Sequence, residues 1–187
     1  MGGVAEQGMR ALTHRAVDTA AGLPAGSTSY YFRSRAALVA GCVQRLLEQD
    51  LDESVSLAEA AAAAGGGALV DVLVAIGVRM ATVERRRTLA RYELSLAAVR
   101  DPILAAELVR GGDEIRRRGA ALLAHAGAAD PDVAAAEVAA VLDGLVFTAL
   151  VRGPYEPEAL GAWLRPPLAR LVNGLPGGSR DAPEPPR

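Results

Sequence analysis

The chain has 187 residues, long enough for one sizeable core or for a small domain fused to a medium one, and no more. Apolar residues make up 51% and aromatics only 4%, and Ala and Leu far outnumber the β-branched residues, so helices are favoured over sheets and the fold class read here is all-α. Its 20 basic residues, all Arg, face 22 acidic ones for a net charge of −2, which taken over the whole chain argues against a nucleic-acid binder.

The distribution of that charge reverses the impression. Residues 1–47 carry Arg10, Arg15, Arg33, Arg35 and Arg45 against Glu6 and Asp18, a net +3 that leaves −5 for the remainder. A basic N-terminal portion on an acidic body is the electrostatic footprint of a DNA-binding head. Within it, Thr13 can cap a helix over 14–21 by accepting a hydrogen bond from one of the first N–H groups. Gly22 ends that helix in the left-handed conformation. Pro24 stands where a second helix would begin, running to Phe32. Ser34 caps a third, with Leu38, Val39, Cys42, Val43, Leu46 and Leu47 repeating at three and four. Two short helices joined by a turn containing glycine form a helix-turn-helix. Leu12, Val17, Ala21, Leu23 and Phe32 are its expected packing residues. The small residues Ala25, Gly26, Ser27, Thr28 and Ser29 let the second helix approach a DNA edge, and the hydroxyls of Tyr30 and Tyr31 can reach phosphates. On spacing alone, the two tyrosines serve equally well as packing aromatics at the rim of a small core.

The stretch "LTHRAVDTAAGLPAGSTSYYFRSRAALVAG" resembles the DNA-binding head of the TetR family of bacterial transcriptional repressors. That family reads Thr, a short helix ending Ala-Gly-Val or Ala-Gly-Leu, Gly-Ser/Thr-x-Tyr-x-Phe, and Ser-Arg/Lys-x-x-Leu. The resemblance implies a three-helix head joined to a larger helical body for ligand binding and dimerisation. It also implies DNA contacts from Thr13, His14 and Arg15 on the supporting helix, from Ala25, Gly26, Ser27, Ser29, Tyr30 and Tyr31 on the recognition helix, and from Arg35 on the next. Thr28 stands where the family often has Leu, which implies an inward-facing side chain. Asp18 stands where many members have Ala. If buried, it needs a partner, and Arg15 lies one turn earlier. Before Thr13 the sequence has "VAEQGMRA" and Leu12 after Met1-Gly2-Gly3, room for only the end of the family's first helix, which is therefore expected to be short in this sequence.

Farther on, the third helix is expected to continue to Ala64, to break at Gly65-Gly66-Gly67, and to give way to another. In "RRRTLARYELSLAAVRDP" a common face holds Leu89, Tyr92, Glu93, Leu96 and Val99, and the helix stops at Asp101-Pro102. A helix over 103–127 is broken or weakened at Gly111-Gly112. Asp130 caps the next, with Pro131 in its first position, and it runs to Arg152. That helix is apolar nearly all round and must be covered twice. "EALGAWLRPPLARLVN" forms the last, kinked or divided at Pro166-Pro167. In the TetR family the last two helices build a four-helix dimer interface. The resemblance therefore implies dimer contacts from Val138, Val141, Leu142, Leu145, Val146, Leu160, Trp163, Leu164 and Leu168.

Tyr92, Glu93 and Leu96 are candidate ligand-binding residues, since a Glu beside a Tyr can orient a ligand in an apolar pocket. A half-buried Glu93 paired with Arg91 or Arg79 fits the same pattern. The stretches "ERRR" at 84–87 and "RRR" at 116–118 read as solvated helix ends and faces. His14, His125 and Cys42 have no metal-ligand spacing, and the Gly run lacks a Gly-Lys-Ser/Thr ending, so neither a metal nor a cofactor is expected. A single Cys fits a reducing compartment, and the apolar runs are interrupted by Asp71, Glu137 and Asp143. A cytoplasmic location without membrane partners is therefore expected. The domain reading is a helix-turn-helix head over 1–47, a body over 48–173 and a disordered tail over 174–187. The resemblance implies a homodimeric regulator that binds a palindromic DNA operator as a repressor and is released by a small apolar effector, with no enzymatic activity. The rival is an α-helical enzyme or small-molecule-binding protein that does not touch DNA.

Overall fold

The computed structural model describes residues 8–64, 68–153 and 156–175, with the backbone alone over 51–64 and at 68. The expected break at Gly65–Gly67 lies outside the described residues. So does the expected disordered tail from residue 176 onward, while Gly174 closes the last helix and Leu175 is buried. The fold is all-α. A 3₁₀ turn at Met9–Ala11 precedes α1 (His14–Ala21), α2 (Ser27–Tyr31), α3 (Arg35–Ala64), α4 (Ala68–Ala81), α5 (Arg85–Ala98), α6 (Pro102–His125), α7 (Pro131–Arg152) and α8 (Pro157–Gly174), with no strand among the described residues.

Several helix starts follow directly from local chemistry. The Ser34 hydroxyl accepts from Ala37 N at 3.1 Å, the Asp101 carboxylate from Ile103 N and Leu104 N at 3.1 Å, and the Asp130 carboxylate from Val133 N at 3.2 Å. Each satisfies N–H groups that have no partner within the helix. The prolines after Asp101 and Asp130 lose nothing at a first helical position.

Packing divides the chain into two units, Met1–Glu53 with Glu84–Glu114, and Ser54–Val83 with Ile115–Arg187. In the first, Leu12, Leu38, Val39, Val43, Leu46, Ala90, Leu94 and Leu104 form the core, and Met9, Val17, Phe32, Cys42, Leu47 and Leu108 pack against it. The stretch 1–47 therefore shares its core with α5 and the first part of α6, which cover the apolar stripe of α3. The buried face of α5 is not the one that the large apolar residues mark. Ala90 and Leu94 are buried, whereas Leu96 is 59% exposed and Val99 more so. Ala90 and Leu94, four residues apart, share one face that packs on the first unit's core, a face displaced from the one through Leu89, Leu96 and Val99. Arg87, within the run expected to be solvated, is half-buried. Its Nε lies 3.3 Å from the Asp50 carboxylate, and Nη2 pairs with Glu84, fixing the start of α5 to α3. Helix α6 passes through Gly111-Gly112 unbroken, and Leu47 rests on Gly111 in the space that a Cβ would fill.

In the second unit α4, α7 and α8 pack together. Leu164 of α8 lies against Gly77 of α4, where a Cβ would sit 2.8 Å from Leu164 Cδ1 and 3.2 Å from Leu142 Cδ1. Helix α8 runs through Pro166-Pro167 without dividing, with Leu160, Leu164 and Leu168 fully buried on its other side. Each of those leucines contributes roughly 2 kcal/mol of transfer free energy, together comparable with the cost of two prolines inside a helix. By length and apolar composition alone α7 is sufficient to cross a membrane, but one of its sides is buried in this unit.

Candidate nucleic-acid interface

The geometry of the first 35 residues grows from a few local bonds. Thr13 Oγ1 accepts from Ala16 N at 3.2 Å and starts α1 as expected. Gly22, at φ +64°, ends it, with Leu23 N donating to Asp18 O at 2.9 Å. The chain then differs from the expected course. Pro24 is not the first residue of the second helix. Ser27 N and Ser27 Oγ both donate to Pro24 O, at 3.1 and 2.7 Å, closing a turn in which Gly26 adopts φ +94°. A residue with a Cβ is strained at that angle, so α2 begins only at Ser27. Ala25 and Gly26 accordingly lie in the turn ahead of the recognition helix and are exposed.

The start of α2 is held from α1. Asp18, only 3% exposed, accepts from Gly26 N at 2.8 Å and Thr28 N at 2.7 Å, and also from the Thr28 hydroxyl. Its partner is therefore not Arg15, which is exposed. Thr28, itself buried, faces inward as its place in the pattern implied. The two positions that depart from the family pattern are thus one hydrogen-bonded pair. A carboxylate eight and ten residues before a Gly-x-Thr step was the signal in the sequence, visible only if both departures are taken together.

The Thr28 hydroxyl, then the Thr28 amide, hold the Asp18 carboxyl below its ordinary value of 3.8. The Gly26 amide and the charge of His14 pull the same way, and burial opposes them. A depressed carboxyl stabilises the folded chain above the unfolded value and ceases to do so as pH falls through the folded one. Wild type should therefore lose more stability than Asp18→Asn as pH is lowered below about 3.8. Denaturant unfolding of both proteins across that range measures the difference, and parallel acid profiles would refute the capping role.

The sequence-predicted contact residues separate into two groups. Thr13, Arg15, Ser29, Tyr30 and Tyr31 are exposed, the tyrosines at 72% and 77%, with their rings edge to face at 5.2 Å. Neither tyrosine is a core packing aromatic. His14 and Ser27, half-buried, and Arg35, exposed, bond to main-chain carbonyls. His14 Nε2 donates to Phe32 O at 2.7 Å, and the Arg35 guanidinium donates to Met9 O at 2.7 Å and to Leu12 O. These bonds pin the start of α1 and the preceding turn to the segment between α2 and α3.

The candidate ligand residues are placed in the first unit. Tyr92 and Glu93 are half-buried, with Arg91 over the Tyr92 ring at 5.4 Å. A Cβ on Gly8 would stand 3.2 Å from the Glu93 carboxylate, and Leu96 points to solvent. The candidate dimer residues divide. Val138, Leu142, Val146, Leu160, Leu164 and Leu168 are buried inside the chain's own second unit and so cannot form an outer face. Val141 and Leu145 are half-buried, and Trp163 is 37% exposed. The exposed large apolar residues of these two helices are Val133, Phe147 and Val151 together with Trp163. Among the described residues no three His, Cys, Asp or Glu side chains are grouped to hold a metal ion. Burial pushes the Cys42 thiol up from its ordinary value.

The family described as Tetracyclin repressor-like, C-terminal domain, matches residues 64–175. Among curated proteins none matches the sequence. A TetR family member from Streptomyces coelicolor A3 is 30% identical, the match covering 90% of this chain and 91% of that one at a TM-score of 0.62. The multidrug binding protein EbrR, solved with imidazole, is also 30% identical, with 90% and 82% covered and a TM-score of 0.62. A transcriptional regulator from Rhodococcus sp. Rha1 is 21% identical, with 92% and 91% covered and a TM-score of 0.73. The helix-turn-helix sequence pattern, the all-α fold and the matched C-terminal region converge: the chain belongs to the TetR family of transcriptional regulators.

Proposed function

We propose that this protein is a homodimeric repressor that binds a palindromic operator through α1 and α2 and leaves it when a small apolar effector binds the body. The observation that carries the reading is the exposed edge formed by Thr13 and Arg15 of α1 and by Ser29, Tyr30 and Tyr31 of α2, the short helix whose start Asp18 anchors. No Gln, Asn or Arg lies between Pro24 and Phe32. Base readout therefore leans on hydroxyls, thymine methyl contacts and Arg15, and phosphate contacts supply much of the affinity. Two heads related by a two-fold axis would meet half-sites about 34–36 Å apart. The exposed residues Val133, Phe147, Val151 and Trp163 are the apolar surface we assign to the dimer contact. The similarity to EbrR, a multidrug binding protein, supports a small organic effector. Its differential affinity for two head spacings would set the size of the release. The reading places the protein in the cytoplasm, with no catalytic role.

Selection from a pool of random duplexes tests this directly. The expected product is an enriched inverted repeat, and Tyr31→Phe should weaken its binding several-fold while sedimentation shows an unchanged dimer. Failure to enrich any sequence would favour an α-helical binding protein or enzyme that does not touch DNA.

A further inference from the structure

The five arginines of residues 1–47 do not behave alike. Arg45 pairs with Glu48 at 3.4 Å, and Arg35 donates to Met9 O and Leu12 O. Arg10, Arg15 and Arg33 are exposed and have no ion-pair or hydrogen-bond partner for their side chains among the described residues. Asp18 is the one carboxylate over 8–47, and it is buried beneath Gly26 and Thr28.

Three bonds bring these cations to one seam. Arg35 to Met9 O, Arg35 to Leu12 O, and His14 to Phe32 O hold residues 9–14 against residues 32–35. Arg10 adjoins the first pinned carbonyl, and Arg33 adjoins the last. Along the chain Arg10 stands three residues before Thr13, and Arg33 two residues after Tyr31, so the pair flanks the exposed edge on both segments. The carboxylate that stands by this seam is Glu93, against Gly8; the exposed arginines outnumber it, and the repulsion between like charges is relieved when a polyanion lies across them. Arg35, at the position where the resemblance implied a phosphate contact, already has main-chain acceptors.

We propose that Arg10 and Arg33 are two further phosphodiester contacts, widening the DNA footprint from α1 and α2 to the 3₁₀ turn before α1 and to the loop after α2. The proposal rests on the DNA-binding reading above. Each contact releases counterions when it forms, so each adds roughly 0.9 to the slope of log K against log salt. Neither reads a base, so losing either weakens all sequences alike.

The test is a salt titration of the full-length protein by fluorescence anisotropy, on the enriched inverted repeat and on a random duplex of the same length. Arg10→Ala and Arg33→Ala should each lower the slope by about 1.8 on both duplexes, because a two-headed dimer loses two contacts per substitution, and leave the ratio of the two affinities unchanged. Arg100→Ala removes an exposed charge from the turn between α5 and α6 and should leave the slope alone. Circular dichroism melts verify that each variant is folded. Should either Arg variant prove unfolded, Arg10→Gln or Arg33→Gln replaces it. Wild-type slopes in Arg10 and Arg33 variants that still bind would overturn this inference and leave the regulator reading standing. An equal fall in Arg100→Ala would also overturn it, since the effect would then be one of total charge. Wild type that distinguishes no sequence at any salt would overturn the regulator reading, and this footprint with it.

Discussion

Replacing Asp18 by Ala should lower operator affinity by roughly ten- to a hundred-fold, the scale that loss of a charge-assisted hydrogen bond represents. The carboxylate takes the amides of Gly26 and Thr28 and the Thr28 hydroxyl together. Without it, two main-chain donors at the entrance to a five-residue helix lose their acceptor, and so does a buried hydroxyl. Such a helix cannot hold its own first turn. The decisive arm is the double variant Asp18→Ala, Thr28→Leu, which installs the residues that the family pattern has at these two sites. It removes the stranded hydroxyl along with the carboxylate and fills the space with an apolar side chain. Replacing both partners of a buried bond by shape-compatible apolar groups is far less costly than removing one. The double variant should therefore recover most of the binding, and the coupling in this cycle measures the bond. Additive losses would show that Asp18 does not act through Thr28.

The second large effect concerns Leu164. It is fully buried beneath Gly77 and Leu142, so Leu164→Ala should destabilise the second unit by about 2–5 kcal/mol, the range for such truncations in a closed core. Gly77→Ala alone should cost about 1–3 kcal/mol by overpacking. Combined, the two should cost less than their sum, because the new methyl enters the space that the leucine leaves. Urea unfolding gives all three values. The resemblance had implied a dimer contact at Leu164, and the alternatives separate cleanly. A core residue shifts the unfolding midpoint, whereas a contact between copies shifts the monomer–dimer equilibrium. Phe147→Glu, on the exposed side of α7, should do the latter with little change in unfolding. If Leu164→Ala moved association alone, its placement in the core would be wrong.

The chain's own sequence determined most helix ends whose controlling interaction spans four residues or fewer, the start of α2 at Ser27 rather than Pro24 excepted. Thr13, Ser34 and Asp130 cap as their side chains dictate, Gly22 turns, and the three-and-four spacing from Leu38 to Leu46 becomes the stripe that the core uses. The motif at 12–41 also made the family legible, because its glycines and aromatics sit at fixed local offsets. Tertiary structure decided what spacing leaves open. A helix that is apolar nearly all round, such as α7, does not state which side faces inward. Only the packing of α4 and α8 chose Val138, Leu142 and Val146 for the core and left Phe147 outside. On α5, packing within the first unit chose Ala90 and Leu94 and left Leu96 and Val99 outside. The long or polar side chains were the least legible. Arg35 finds its acceptors 26 and 23 residues away, His14 finds one 18 away, and Asp18 reaches donors eight and ten residues on. Bonds of that reach depend on how the chain folds back, which no local pattern encodes.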